Sequence, residues 1–241
     1  MDLAKFISLI STKSIYFTNP RNFDDPYEFY LPNSYNDALN SIYLKQEKEL
    51  RKVCSSMIEC KPGIQDTLEY KKVVKKIEEL PKHEELTNVV KERFGVSCWH
   101  INDCENAALW KIYTNQGQGI AIETTDEKLK ESLISNEEII FDSVRYEDYF
   151  TGEIIKGYHS YAGFIKRKSF AYEKEYRAMI LLNKENYGEG SLVKVDLNNL
   201  IEKIHISPSM PKFFFDAVKY ICKNEIKELD NKLYHSKLYE K

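Results

Sequence analysis

The chain has 241 residues, 42% of them hydrophobic and 13% aromatic, which excludes a disordered segment and allows a sizeable core. A net charge of −3 gives no global field that would gather nucleic acid. No apolar run approaches the length of a bilayer span, so no membrane role is expected.

The five cysteines, at 54, 60, 98, 104 and 222, are odd in number. A chain of this size needs no disulfide staples, so reduced thiols and a cytoplasmic location are expected. The first residues, MDLAKFISLIST, hold too short an apolar run for a secretory signal.

In chain order, Leu3 to Ile10 reads as a short helix and Ser14 to Thr18 as a strand. The stretch NPRNFDDPYEF, 19–29, carries two prolines with Asn and Asp, the chemistry of an ordered turn. Its three aromatics, Phe23, Tyr27 and Phe29, are expected to anchor it. Residues 36–94 follow a helical spacing, with breaks at Pro62-Gly63 and Pro81, and read as a helical insertion. Acids closely follow its lysines, which marks a solvated helix face rather than a nucleic-acid patch.

Gly95 to Trp99 reads as a strand, and Asn102 or Asp103 as the cap of a helix carrying Leu109, Trp110 and Tyr113. The glycines at 117 and 119 match no phosphate-binding pattern and mark a turn before the strand IAIET. Asp126 to Leu133 reads as a helix, and Glu138 to Tyr146 as one bent strand or two. Ile154 to Ile165 is expected to be helical, and Phe164 to Leu182 a continuous strand. Leu192 to Leu197 and Lys203 to Ser207 are further strands. Pro211 opens a last helix, with Phe214, Ala217, Val218, Ile221, Cys222, Ile226 and Leu229 as its buried stripe.

This order predicts an α+β fold: a single domain with a mixed, mostly antiparallel sheet, flanking helices and the insertion near residues 36–94. It lacks the regular β-α alternation of a doubly wound sheet.

Several constellations offer chemistry. Cys98, His100 and Cys104 lack the paired spacing of a zinc site, so no metal is expected. Cys98 is expected to be a buried strand residue rather than a nucleophile. Lys166-Arg167-Lys168 suits either a solvated helix end or a phosphate-bearing ligand. In Glu173-Lys174-Glu175-Tyr176-Arg177, strand alternation puts both acids and the arginine on one face with Met179 and Leu181. Two readings stand: a surface ladder in which Arg177 partners the acids, or a carboxylate pair that stabilises an oxocarbenium-like centre.

YFTNPRNFDDPYEF (16–29), VSCW (96–99), ALWKIYTNQGQGIAIE (108–123), VRYEDY (144–149) and KRKSFAYEKEYRAMI (166–180) occur in an order that resembles the bacterial family DUF2971, a domain of unknown function. The resemblance implies that Glu173, Glu175 and Arg177 are functional. More loosely, the early strand, polar loop and late E-x-E strand are similar to the ADP-ribosyltransferase fold.

That likeness implies NAD as a substrate, with Glu175 stabilising a ribosyl cation and Glu173 orienting the acceptor. It further implies Tyr16, Phe17, Trp110 and Tyr113 as ring-stacking groups, Asp25, Glu28 and Lys168 as ligand contacts, and a toxin, antiphage or stress role. Two alternatives remain open. One is a non-enzymatic module that binds a nucleotide-type small molecule or a protein, with the Lys-rich helices as a docking surface. The other is a Mg²⁺-dependent nuclease using Asp25, Glu28, Glu173 and Glu175.

Overall fold

Helix α1 (Leu3–Thr12) starts where Asp2 accepts from the Lys5 amide and stops at Lys13, whose φ of 49° is left-handed. The structure, a computed structural model, describes residues 1–30, 33–61, 63–78, 83–114, 119–150, 162–226 and 229–239, without the side chains of 33–44, 83–86 and 89. Strand β1 (Ser14–Thr18) follows, and the NPRNFDDPYEF stretch then turns through a 3-10 segment at Pro20–Asn22. The helices α2 (Asn33–Cys60), α3 (Leu68–Glu78) and α4 (His83–Arg93) occupy the predicted helical region. The predicted breaks at Pro62 and Pro81 lie outside the described residues.

Strand β2 (Phe94–His100) leads to α5 (Ala107–Tyr113). The cap of α5 is Asn106, not Asn102 or Asp103, because the Asn106 side chain accepts from the Ala108 amide. Of the predicted turn before β3 (Ile120–Glu123), residues 116–118 lie outside the described residues. Then come α6 (Asp126–Ser132), β4 (Leu133–Ile134), β5 (Ile139–Ser143) and β6 (Arg145–Glu147). Of the helix predicted over 154–165, residues 154–161 lie outside the described residues. Its end is a 3-10 turn, Ala162–Phe164, running into strand β7 (Ile165–Arg167).

The continuous strand predicted from Phe164 to Leu182 is instead two strands. A 3-10 segment, Lys168–Glu173, separates β7 from β8 (Glu175–Leu181). Propensity missed this break, since no Gly or Pro marks it; Lys174 itself adopts the left-handed φ of 46°. Strand β9 (Gly190–Val195), α7 (Leu197–Leu200), β10 (Lys203–Ile206), α8 (Lys212–Glu225) and β11 (Leu233–His235) complete the order.

Two compact units divide the chain. The first takes Met1–Asn22, Arg93–Ser143 and Glu173–Lys241; the second takes Phe23–Glu92 and Val144–Tyr172. The first is built on a six-stranded sheet ordered β4-β9-β1-β2-β8-β5, in which every pairing is antiparallel. Its second sheet, β11-β10-β3, joins a parallel and an antiparallel pair. Helices with a mostly antiparallel sheet make the fold α+β.

The main core joins Phe6 and Ile10 of α1, Leu129 of α6, Ile204 and Ile206 of β10, and Val218 and Cys222 of α8. Each such side chain contributes about 1.5–3 kcal/mol when fully buried. Ala217, predicted inside the α8 stripe, is exposed. A smaller cluster gathers Phe17, Ala178, Ile180, Leu182 and Val193 on one face of the six-stranded sheet. The second unit holds α2, α3, α4 and the parallel pair β6-β7. The stretch Glu138 to Tyr146, read as one bent strand or two, is two strands with different partners: β5 pairs with β8, and β6 with β7.

Candidate functional site

In the first unit, β8 lies between β2 and β5, with Cys98 and Asp142 as the cross-strand partners of Arg177, and His100 as that of Glu175. Directly opposed antiparallel residues share a face. One face therefore carries Cys98, His100, Asp142, Glu175, Arg177 and Met179. Glu173, Glu175 and Arg177 are 5%, 3% and 0% exposed. The acids do not form a surface ladder, as one sequence reading had it. They are withdrawn from water. Leu181, predicted to share the buried face, is exposed at the strand's end.

The Arg177 Nε donates to Glu175 Oε2 at 2.6 Å. Glu173 sits on the 3-10 turn, and its carbonyl oxygen is 2.7 Å from His100 Nδ1. The Ile101 amide donates to the Lys174 carbonyl at 2.9 Å. These two bonds tie the turn to the end of β2. They hold Lys174 in the left-handed region, with its side chain outward and both flanking acids inward.

The His100 ring lies against Tyr113, centroids 4.8 Å apart at 54°. Tyr113 is 43% exposed. Trp110, one turn back on α5, is buried, and its Nε1 donates to Glu105 Oε2 at 3.1 Å. Phe17 is wholly inside the core and has no face to offer a ligand, which corrects its reading as a stacking group. Tyr16 is half exposed, with its hydroxyl donating to the Glu189 carbonyl. Cys98, expected to be buried, is exposed on β2.

A polar network that no sequence spacing announced surrounds the α5 entry. Glu105 accepts from Trp110 and from Ser236, and lies 3.8 Å from His205 Nδ1. The other ring nitrogen of His205 is 2.7 Å from Glu123 Oε2, and the Lys203 ammonium donates to Glu123 Oε1. Burial alone would raise the Glu123 pKa, yet the hydrogen bonds from Lys203 and His205 hold it below the ordinary carboxylate value. Residues 105, 123, 205 and 236 are too dispersed for a motif. Among the described residues, no group of three His, Cys, Asp or Glu is placed to hold a metal ion.

The remaining predicted site residues belong to the second unit. Asp25 binds Arg167 with Oδ1 at 2.7 Å and Oδ2 at 3.4 Å, and Glu28 pairs with Lys166 at 3.3 Å. The Arg167 guanidinium also stacks over Tyr27 at 4.5 Å, and the Lys166 ammonium over Phe170 at 4.7 Å. Successive residues of β7 point to opposite faces, so each cation finds its own acid. The basic run is therefore not a solvated helix end: Lys166 is buried, and of the three only Lys168 is exposed. Equal and opposite charges in the DDPYE and KRK motifs were the available signal for this pairing.

No helix among the described residues is long and apolar enough to cross a membrane. A model of the family described as "Protein of unknown function (DUF2971)" matches residues 109–178, which supports the family resemblance over α5 to the first part of β8. That span includes Trp110, Tyr113, Glu173, Glu175 and Arg177; the 16–29 and 96–99 motifs lie outside it. No curated protein and no solved structure gives a match.

Proposed function

We propose that this chain is a non-enzymatic binding protein in which the E-x-E-x-R strand is scaffolding. The observation that carries this reading is the state of Glu175. A carboxylate that stabilises a cationic centre must face its substrate with uncompensated charge. Glu175 is 3% exposed, and one of its oxygens is already bound to the Arg177 guanidinium. Such a pair fixes a strand and its neighbours. The His100–Tyr113 ring pair in this unit, with Tyr113 43% exposed, suits a planar, nucleotide-type small molecule.

Glu175→Gln and an NAD assay test this reading together. The expected outcome is a melting temperature lower by about 6–10 °C, because an uncompensated buried Arg costs about 3 kcal/mol. Wild-type chain incubated with NAD is expected to release no nicotinamide. Release that disappears in Glu175→Gln, with melting unchanged, overturns it.

The second reading is an NAD-using ADP-ribosyltransferase or glycohydrolase with a toxin, antiphage or stress role. It draws on Glu173 and Glu175 being withdrawn from water side by side, within the segment the family model matches. Tyr16, Trp110 and Tyr113 would then be the ring contacts. The nuclease reading finds less support, since Asp25 and Glu28 already engage Arg167 and Lys166.

A further inference from the structure

Among the described residues, those other than glycine that hold a left-handed φ are Lys13, Phe29 and Lys174. Two of them have a structural reason. Lys13 ends α1, where a cation suits the helix C-terminus, and Phe29 is 2% exposed, with its ring in the interior. Lys174 has neither. It follows a 3-10 segment and is exposed, at a position that Gly would fill without strain. A strained residue with an outward side chain points to a use for the side chain itself.

The Lys174 backbone is locked beside the ring pair. The Glu173 carbonyl, which belongs to the same peptide unit as the Lys174 nitrogen, lies 2.7 Å from His100 Nδ1. The Lys174 carbonyl accepts from the Ile101 amide at 2.9 Å. Covalent geometry then keeps the Lys174 Cα within about 6 Å of that ring nitrogen, and the lysine stem spans about 6 Å more. Its ammonium therefore reaches whatever lies against His100 and Tyr113, whose ring centroids are 4.8 Å apart. Among the described residues, no hydrogen bond or ion pair engages this ammonium. The flanking acids, Glu173 and Glu175, turn inward, away from the lysine, and Arg177 binds the second.

We propose that Lys174 is a phosphate contact and that the ligand is a mononucleotide. Its base lies against the His100–Tyr113 pair, and its phosphate meets the Lys174 ammonium. The proposal rests on the reading of that ring pair as a recognition site for a planar molecule, and it adds the anionic group. A compact ammonium holds a phosphate as a point charge, and ring stacking accepts any base. The site therefore selects the phosphorylated form over the nucleoside, rather than one base over another.

The test is a ligand-observed NMR titration of the full chain with the four ribonucleoside monophosphates and their nucleosides. The monophosphates are expected to bind about tenfold tighter, the size of one charge-assisted contact, and added salt to shrink that margin. Lys174→Gln is expected to erase the margin, and Lys174→Arg to keep it. Lys174→Gly is expected to erase it as well while melting no lower than wild type, a separation that a merely structural lysine would not give. Tyr113→Ala is expected to weaken nucleoside and monophosphate alike. Equal affinity for the two forms, or a margin that survives Lys174→Gln, overturns the proposal and leaves the ring site standing. No binding of either form overturns both.

Discussion

Arg177 and Glu175, two residues apart on one face of β8, are joined by a 2.6 Å hydrogen bond with neither side chain reaching water. A pair this deep is costly to break and cheap to replace. Removing one partner leaves an uncompensated charge, worth about 3–5 kcal/mol. Arg177→Met alone and Glu175→Leu alone are each expected to destabilise by that amount. The double variant is expected to recover most of the loss. Urea unfolding of the three proteins measures the coupling, and additive losses would mean the two side chains act separately.

Lys174 provides a second check. Its left-handed φ of 46° costs an L-residue about 1–2 kcal/mol, and Gly escapes that cost. Lys174→Gly is expected to hold or raise the melting temperature. Lys174→Val, with a branched Cβ, is expected to lower stability by at least about 1 kcal/mol. A drop in Lys174→Gly as large as in Lys174→Val would mean the turn is not strained there.

Gly119 precedes β3, and a Cβ there would come within 2.0 Å of the Thr114 Cγ2 and 3.4 Å of the Trp110 ring. Thr114 cannot simply turn away, because its hydroxyl donates to the Trp110 carbonyl. Gly119→Ala is expected to destabilise by about 1–3 kcal/mol. Near-ultraviolet circular dichroism should register a displaced Trp110, and an unaltered spectrum with unaltered stability would refute the contact.

The cysteines should separate by reactivity. Cys60, Cys98 and Cys104 are exposed, while Cys54 and Cys222 are buried. Burial pushes the Cys222 thiol up to about 11. Above its unfolded value the folded chain retains a proton that the unfolded chain loses. This contribution to stability is therefore intact below about pH 9 and lost progressively as pH rises to about 11. Native chain at neutral pH is expected to give three fast thiols with a colorimetric disulfide reagent, and five after denaturation. Removal of this alkaline loss by Cys222→Ala identifies the group responsible.

Regular elements were largely legible in the residues. β1, β2, β3 and α8 fall where alternation, period and capping placed them, because each has one face in a core. The E-x-E-x-R stretch was legible as a place where charge enters the interior. Its break was not, because Lys174 carries no Gly or Pro signature and is held by bonds from His100 and Ile101 at the end of β2. The fate of the DDPYE acids was hidden for a similar reason. Their partners, Lys166 and Arg167, lie about 140 positions away, and local pattern reports nothing at that range.

The first compact unit is assembled from three separate stretches of chain and the second from two, with crossings after Asn22, Glu92, Ser143 and Tyr172. No single proteolytic cut or truncation can liberate either one intact. The 109–178 segment recognised by the family model itself passes through both. Whatever ancestry that segment records was inherited as a thread running through two bodies, and a fragment cloned to its limits would carry less than a third of each.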